Sequence, residues 1–391
     1  MIAETLIQEA IAAQTTPSAA LAVYLRGQLV LHRAYGCLEP ETCPQPIHTG
    51  TRFDLASVTK LFTTTAFLMQ VAEGRVQLDN PVVSMIPEFG RYGPRPIEGG
   101  QDPHTLERLP SDTEAKGPVD PATVTFRHLL THTGGLAPWR DLFLHTGPPP
   151  PPPGHPDPVP RQERVARALD LIASYPFVDV PGRAVRYSDL GLILLGEAVA
   201  RLEGVPTPAE AIHRRVLAPL GLERITFNPP EPELCPPTEF DARWRGRRCW
   251  GEVHDENAAS LGGIAGHAGL FGPAGEVARF GLQWLRAVQG QAADWLPTEI
   301  ARQAVTAQAD GRGLGWVLKT PSPAYSSAGA LFSPQSFGHT GFTGTSLWID
   351  PRRELVVALL TNRVYYGRDP QGITALRSAV HDAICQWANG R

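Results

Sequence analysis

The chain has 391 residues, of which 42% are hydrophobic and 19% charged, and its formal net charge at pH 7 is −4. This balance predicts a globular protein with a large apolar core, and the absence of a basic stripe excludes a nucleic-acid-binding surface. No apolar run approaches the roughly 18 residues of a membrane-spanning helix. The residues after Met1 lack a basic segment followed by an apolar run, so we expect no secretory signal and a cytoplasmic protein.

The cysteines are scattered and lack the C-x-x-C spacing of a metal site. In a reducing compartment we expect all of them to be free thiols and a bridge between the first two to be absent. They are Cys37, Cys43, Cys235, Cys249 and Cys385.

The N-terminal part predicts a helix, a hairpin and a second helix. Residues 4–14 form the first helix, and 21–35 form two strands because apolar residues dominate on both sides of an Arg-Gly turn signal. The second helix covers 53–73, where apolar side chains are frequent and Gly74 follows as a C-terminal cap. A helix this apolar belongs in the core.

From about residue 78 to 252, proline and glycine interrupt short helical patterns, which predicts an inserted, loop-rich region. Within it, 148–153 is a run of prolines that predicts a solvated polyproline segment. Two interpretations remain open for this segment: a stiff surface loop, which we favour, or a ligand for a proline-recognising partner.

The C-terminal part predicts a helix, several strands and a closing helix. The predicted strands are 313–319, 338–349 and 355–361, and the predicted helices are 276–287 and 372–389.

Strands at both chain ends around a helical middle predict an α+β fold. One antiparallel sheet, built from both ends and flanked by helices, forms a domain of residues 1–77 and 256–391. Residues 78–255 form an inserted, mainly helical lobe, and the active site is expected at the junction.

Ser57 and Lys60 form the pair best suited to chemistry. Only Lys60, Lys116 and Lys319 are lysines among 35 basic residues, and Lys60 follows a serine by three positions at a predicted helix start. Such spacing places both side chains on one face, where an amine in a dry pocket can activate a hydroxyl. The alternative is a capping serine beside a surface lysine.

Two further segments carry candidate groups. Tyr187-Ser188-Asp189 precedes an apolar helix and offers a phenol, although the same residues also suit a buried aromatic followed by a helix cap. His339-Thr340-Gly341 precedes a buried strand, where the glycine lets a substrate approach the backbone. His-Thr-Gly also occurs at 132–134 and 145–147, so position alone distinguishes 339–341.

Together and in this order, these segments resemble the serine β-lactamase and penicillin-binding superfamily. The likeness is to its class C related branch of esterases and D-Ala-D-Ala carboxypeptidases, including relatives of penicillin-binding protein 4B. It implies a β-lactamase/transpeptidase-like fold and covers nearly the whole chain. The segments that carry it are 51–60, 127–136, 251–258, 266–271 and 339–341.

The resemblance implies a role for each matched residue. Ser57 is the nucleophile that forms an acyl-enzyme, Lys60 is its proton-accepting or field-supplying neighbour, and Tyr187 is the general base. The N–H groups of Ser57 and Phe342 form the oxyanion hole. The implied substrate-binding residues are Asp189, His339, Thr340 and Gly341. Which of Lys60 and Tyr187 takes the first proton stays open, as does the residue that activates the deacylating water.

This sequence departs from the family pattern at two of these positions. Asp189 stands where the lactamases usually carry asparagine, and an acid there repels a substrate carboxylate unless Lys60 neutralises it. His339 stands in place of lysine and weakens a fixed positive charge. Both changes favour small neutral esters or D-amino-acid amides over β-lactams, with a β-lactamase or D-Ala-D-Ala carboxypeptidase proper as the alternative.

Two interpretations from other classes remain. A metal hydrolase would use His254, Asp255, Glu256 and His267, which crowd together but match no metal motif. A binding protein on the same fold would keep the pocket without catalysis. Our prediction is a serine hydrolase that takes a small-molecule substrate and needs neither metal nor organic cofactor.

Overall fold

The computed structural model describes residues 2–321 and 325–390. Its α-helices, in chain order, are α1 Ile2–Ala12, α2 Thr59–Ala72, α3 Phe126–Leu130, α4 Arg161–Ser174, α5 Asp189–Glu203, α6 Pro208–Ile212, α7 Glu256–Ser260, α8 Ala274–Gln289, α9 Thr298–Ala304 and α10 Gln371–Asn389. Its strands are β1 Ser18–Leu25, β2 Gln28–Gly36, β3 Phe53–Asp54, β4 Thr226–Phe227, β5 Phe240–Asp241, β6 Arg247–Arg248, β7 Leu270–Gly272, β8 Val317–Leu318, β9 Phe337–Thr340, β10 Ser346–Asp350 and β11 Leu355–Thr361.

The main sheet has six strands in the order β2-β1-β11-β10-β9-β8. The first strand of the chain pairs with the last one, since β1 and β11 are antiparallel with Ala22 opposite Ala358. The other pairs in this sheet are antiparallel as well. The predicted antiparallel sheet built from both chain ends is therefore confirmed.

The sheet is covered on both faces. Along β1, Ala20 and Ala22 join the larger apolar core while Ala19, Leu21 and Val23 join the smaller one, as the two-residue period of a strand requires. Helix α8 packs against β1, β10 and β11 on the first face, and α1 and α10 pack together over the second. A strand buried on both faces has no room for polar positions, which explains the continuous apolar runs in the sequence.

The middle of the chain supplies the helices that pack beside α2. Helix α5 lies against α2 and α3, and their apolar side chains continue the larger core without a break. The predicted α+β class is confirmed. The boundaries at 77/78 and 255/256 stay a prediction.

Three predicted elements were wrong in detail. Residues 53–73 do not form one helix, because β3 and a tight turn at Ala56–Val58 precede α2. Residues 338–349 do not form one strand, because a turn at 341–345 separates β9 from β10. Of 313–319, only Val317–Leu318 is a strand. The hydrophobic pattern located these segments correctly. It cannot show a turn within a segment when the residues on both sides of the turn are buried.

The expectation of five free thiols was also wrong. Cys37 and Cys43 form a disulfide with their Cα atoms 5.3 Å apart, whereas Cys235, Cys249 and Cys385 are free and buried. The bridge closes the loop after β2, and Leu38 N–H donates to Gln45 O within it. The expectation failed because it assumed a reducing compartment, since the two cysteines are close enough in the sequence to meet across a loop after a hairpin.

The polyproline segment lies at the surface, outside any helix or strand. Two arginines fasten it to the rest of the molecule: Arg164 donates to Pro148 O and Arg247 to Pro150 O, both at 2.9 Å. This arrangement agrees with the favoured interpretation, a stiff surface loop. Among the helices of the described ranges, none has the length and apolarity needed to cross a membrane.

Candidate active site

Ser57 is presented by a strained turn between β3 and α2. Ala56 has a φ of 46°, a left-handed conformation that costs a residue with a side chain roughly 1–3 kcal/mol. The buried Asp54 carboxylate holds this turn by accepting hydrogen bonds from Ala56 N–H at 2.8 Å and His254 N–H at 2.7 Å. Ser57 is half-buried, so part of the residue is exposed to solvent.

Lys60 lies one turn further along and is fully buried, with 1% of its side chain exposed. Its Nζ is 2.8 Å from Ser57 Oγ, 2.7 Å from Asp189 Oδ1 and 3.0 Å from His267 O. Three oxygens match the three N–H donors of an ammonium group. Burial alone would lower the pKa of Lys60. Interactions with Asp189 and Tyr187 raise the pKa by more than burial lowers it, so the pKa lies above its ordinary value. Lys60 is therefore charged in the resting site.

Tyr187 stands beside this pair, with Lys60 Nζ 5.0 Å from its ring centre. Burial raises the pKa of the Tyr187 phenol and Asp189 adds to the rise, while Lys60 and Ser57 oppose it. The phenol is therefore protonated at rest as well. Lys60 thus contacts both Ser57, three positions earlier in the chain, and Tyr187, which comes from a distant segment.

The segment that carries Tyr187 is fixed by a helix cap. Ser188 is the N-cap of α5: its Oγ accepts from Gly191 N–H at 3.3 Å and donates to Ala137 O at 2.7 Å. The capping interpretation and the catalytic one are thus compatible, because the cap residue and the phenol are neighbours with separate tasks.

His132 is a site residue that the sequence analysis did not assign. Its ring packs on Tyr187 with centres 4.5 Å apart, and its Nδ1 accepts from Ser188 N–H at 3.1 Å. Burial and the charges of Arg312 and Lys60 hold the pKa of His132 well below its usual range, so the ring is neutral. The signal was its position in the matched segment 127–136.

His339 lies on the other side of Tyr187, with ring centres 6.0 Å apart. Its Nδ1 is 2.7 Å from Thr340 O, which accepts only if Nδ1 carries the proton. Within the described residues its buried Nε2 has no hydrogen-bond partner. Burial, Lys60 and Arg312 lower the pKa of His339 to about 3, so it offers a lone pair and no charge.

The turn at 341–345 lies against the strained turn before Ser57. Thr343 Oγ1 donates to Asp54 O at 2.8 Å, and Thr345 Oγ1 donates to Leu55 O at 2.9 Å. Gly341 is required there, because a Cβ would lie 2.6 Å from Leu55 O. In the described part of the chain the Phe342 N–H has no acceptor, so it is available to an oxyanion.

Arg312 is a second group that sequence reasoning missed. Its guanidinium carbon lies 5.4 Å from the centre of the Tyr187 ring, and burial lowers its pKa. No carboxylate in residues 2–321 or 325–390 lies within ion-pair distance of it. Nothing in the sequence distinguished this arginine from the many others.

The proposed metal ligands do not converge. His267 pairs with Asp255 at 2.8 Å, and His254 pairs with Glu239 at 3.0 Å. Glu256 binds Arg368 instead. In the described ranges no three His, Cys, Asp or Glu side chains are arranged to hold a metal ion. The Asp255–His267 pair supports the loop whose carbonyl binds Lys60.

A sequence model of the Beta-lactamase family matches residues 3–381. A putative D-alanyl-D-alanine carboxypeptidase of Escherichia coli K12 is 29% identical over 384 residues, which cover 91% of this chain and 80% of that protein.

Two solved structures share the fold. EstCE1, a hydrolase with promiscuous acyltransferase activity, aligns with a TM-score of 0.68 at 22% identity, over 97% of both chains. The LovD6 mutant of simvastatin synthase from Aspergillus terreus aligns with a TM-score of 0.70 at 21% identity, over 100% of this chain and 95% of the other. Since the family model spans nearly the whole sequence, this chain belongs to the Beta-lactamase family.

Proposed function

We propose that this serine hydrolase of the Beta-lactamase family forms an acyl-enzyme at Ser57, and that its substrates are D-amino-acid peptides ending in a free carboxylate. The observation that carries the proposal is the buried ammonium of Lys60, 2.8 Å from Ser57 Oγ and beside Tyr187. A buried lysine placed on a serine hydroxyl has no evident structural use that an apolar residue would not serve better.

The first chemical step is attack of Ser57 Oγ on the substrate carbonyl. The hydroxyl proton passes to Tyr187 as the phenol gives its own proton to the leaving amine, and the N–H groups of Ser57 and Phe342 bind the oxyanion. Since Lys60 and Tyr187 are both protonated at rest, Lys60 supplies a field and Tyr187 relays a proton in a concerted transfer. In the second step a water attacks the acyl carbon, Tyr187 relays the proton of the water to Ser57 Oγ, and the bond between this oxygen and the acyl group breaks to release the acid.

The charge around Tyr187 favours an anionic substrate group. Asp189 balances Lys60 at 2.7 Å, which meets the condition under which an acid there ceases to repel a carboxylate. His132 and His339 are neutral. Arg312 then leaves one uncompensated positive charge at the site, and this charge suits a terminal carboxylate.

Small neutral esters are the second candidate class. The Phe342 ring is 41% exposed beside the oxyanion position and offers an apolar surface to an acyl or alkoxy group. His339 adds a hydrogen-bond acceptor in place of a cation. The class C assignment of the sequence analysis, and its preference for neutral substrates over β-lactams, belong to this proposal and are tested with it.

A turnover panel decides between these classes. It compares an N-acylated peptide ending in D-Ala-D-Ala, the same peptide as its C-terminal amide, p-nitrophenyl esters and nitrocefin. We expect the acid to exceed the amide by about 10-fold to 100-fold in kcat/KM, the worth of one charged hydrogen bond, and Ser57→Ala to lose all turnover. Arg312→Gln should erase the difference between acid and amide, whereas Arg183→Gln, on a nearby surface loop, should keep it.

Equal turnover of acid and amide by the wild type would overturn the carboxylate proposal and leave the ester class. Rapid nitrocefin turnover with an inert peptide would instead indicate a β-lactamase. Persistence of turnover in Ser57→Ala would refute the acyl-enzyme itself.

The cellular compartment is a separate proposal. The Cys37–Cys43 bridge favours an oxidising environment, and this bears against the cytoplasmic location predicted from the sequence. Titration of the denatured protein without reductant should find three thiols if the bridge forms in the cell, and five if the cytoplasmic prediction holds.

A further inference from the structure

Arg377 projects from α10 onto the turn that follows β9. One of its terminal nitrogens is 2.5 Å from Gly341 O and 2.9 Å from Thr345 O, so it donates to both ends of the 341–345 turn. The side chain is buried, with 8% of the residue exposed. No carboxylate of the described residues lies within ion-pair distance of it. A charge held in the interior without a counter-ion is costly, which calls for a function that repays the cost.

The position of the Gly341 carbonyl, which accepts from Arg377, suggests what this buried charge does. Gly341 C=O and Phe342 N–H belong to the same peptide unit, whose atoms are conjugated and nearly planar. A cation that binds the oxygen withdraws electron density through this unit and makes the N–H a stronger donor. It also fixes the plane of the peptide, and therefore the direction of the N–H.

A second arginine holds the next peptide. Arg363 Nε donates to Phe342 O at 3.0 Å, and its guanidinium lies 4.7 Å from the Phe342 ring centre. Its other side-chain hydrogen bonds also go to backbone carbonyls, including that of Asp369 at 3.0 Å. The carbonyl before Phe342 N–H, that of Gly341, and the carbonyl of Phe342 itself are thus each bound by a buried guanidinium group.

We infer that Arg377 is a positioning residue for catalysis, which orients and polarises the Gly341–Phe342 peptide so that its N–H stabilises the oxyanion. The inference rests on the proposed function, since it requires acylation of Ser57. It goes beyond that function by making a residue of α10 responsible for the position of one oxyanion donor.

The experiment compares Arg377→Met and Arg377→Lys with a matched control. Arg95 is likewise buried without a carboxylate partner, and it donates to two backbone carbonyls, Ile172 O at 2.7 Å and Tyr175 O at 3.0 Å. Arg95→Met therefore removes the same kind of buried guanidinium from carbonyls at the end of α4, which carries none of the proposed site residues. Thermal unfolding of all variants gives the temperature at which each is folded, and kinetics are measured below it.

We expect Arg377→Met to slow acylation by p-nitrophenyl esters about 10-fold, less than the 100-fold or more that follows loss of an oxyanion donor, with KM little changed. Arg377→Lys keeps the charge and should recover part of the rate, while Arg95→Met should acylate at the wild-type rate. A spectroscopic readout isolates polarisation: in an acyl-enzyme with a ¹³C-labelled ester carbonyl, the stretching frequency should rise in Arg377→Met and stay unchanged in Arg95→Met.

An acylation rate and a carbonyl frequency equal to those of wild type in folded Arg377→Met would overturn the inference and leave the proposed function intact. If Arg377→Met does not fold, the same two measurements on Arg377→Lys decide, because a lysine places its charge differently and must change the frequency if polarisation matters. Failure of the wild type to be acylated at Ser57 would remove the proposed function and this inference with it.

Discussion

The triplets at 132–134 and 339–341 have the same sequence, His-Thr-Gly, and enclose one phenol from two sides. His132 is in a turn with a φ of 57° and accepts a hydrogen bond at Nδ1, so its proton is on Nε2. His339 is in β9 and donates from Nδ1, so its Nε2 is bare. The same three residues thus present opposite tautomers to Tyr187, because the backbone partner at Nδ1 decides where the proton lies.

The comparison teaches that these histidines divide the tasks around Tyr187. His132 binds the backbone of Ser188 and so holds the phenol in place, while the free Nε2 of His339 is available to substrate or water. The third copy, at 145–147, has an exposed histidine whose nearest carboxylate is Asp141 at 3.9 Å. A motif of three residues does not fix a role without its surroundings.

The largest effect is expected from removing the hydroxyl of Tyr187, whose ring lies between the two histidines. Tyr187→Phe keeps the ring contacts with both but deletes the hydroxyl, so we expect kcat/KM to fall about 10³-fold, the scale of general acid–base catalysis, with a nearly unchanged melting temperature. Single-turnover acylation with a chromogenic ester measures it. A fall of less than about 10-fold would show that Lys60 works without the phenol.

The same substitution at both histidines sharpens the contrast. His132→Phe leaves Ser188 N–H buried without an acceptor, which costs about 2 kcal/mol in the free energy of unfolding. His339→Phe breaks only a bond to the neighbouring Thr340 carbonyl, so we expect a loss below about 1 kcal/mol together with a clear fall in kcat. Urea unfolding and steady-state kinetics supply both numbers, with His145→Phe as the exposed control. Equal losses of stability would refute the division of tasks.

Acid should weaken the fold through these rings. Burial holds the pKa of His339 at about 3 and that of His132 well below its usual range, while both groups titrate near 6.5 when unfolded. Below pH 6.5 the unfolded chain binds protons that the folded chain does not, so stability falls as pH is lowered, by about 1.4 kcal/mol per pH unit for each ring until its folded pKa is reached. His339→Phe should reduce the slope of unfolding free energy between pH 6 and about 4; an identical slope in wild type and variant would contradict a neutral His339.

The sequence predicted the sheet and the contact between Ser57 and Lys60 for reasons that differ in kind. Strands β1 and β11 are buried on both faces, so their apolar runs are visible in the sequence. Ser57 and Lys60 lie within one helical turn, and their proximity follows from spacing alone.

Contacts that depend on chain reversal were not accessible in this way. His132 is held beside Tyr187 by hydrogen bonds from Arg186 N–H and Ser188 N–H. In the sequence, Arg312 and Arg377 do not differ from the other arginines, and only the fold shows their contacts with Tyr187 and Gly341. The Cys37–Cys43 bridge was missed for a different reason, the assumption of a reducing compartment.

Because neither histidine carries charge, the electrostatics of the phenol and amine depend on Asp189. Its carboxylate raises the pKa of both Lys60 and Tyr187. Asp189→Asn should therefore lower both pKa values and move the alkaline limb of the kcat/KM profile, on which Lys60 and Tyr187 lose the protons they hold at rest, to lower pH, by about one unit for each 1.4 kcal/mol of lost interaction. The pH range of full activity should become narrower on its alkaline side.

The control for this shift is Asp170→Asn, which changes the net charge equally but removes a surface partner of Arg91. Its profile should coincide with that of wild type. A limb that moves to higher pH in Asp189→Asn would contradict the stabilisation of protonated Lys60 and Tyr187 by this carboxylate. If the limb does not move, the rate-limiting proton transfer does not involve Lys60 or Tyr187, and the neutral histidine with the free Nε2, His339, becomes the group to test as base.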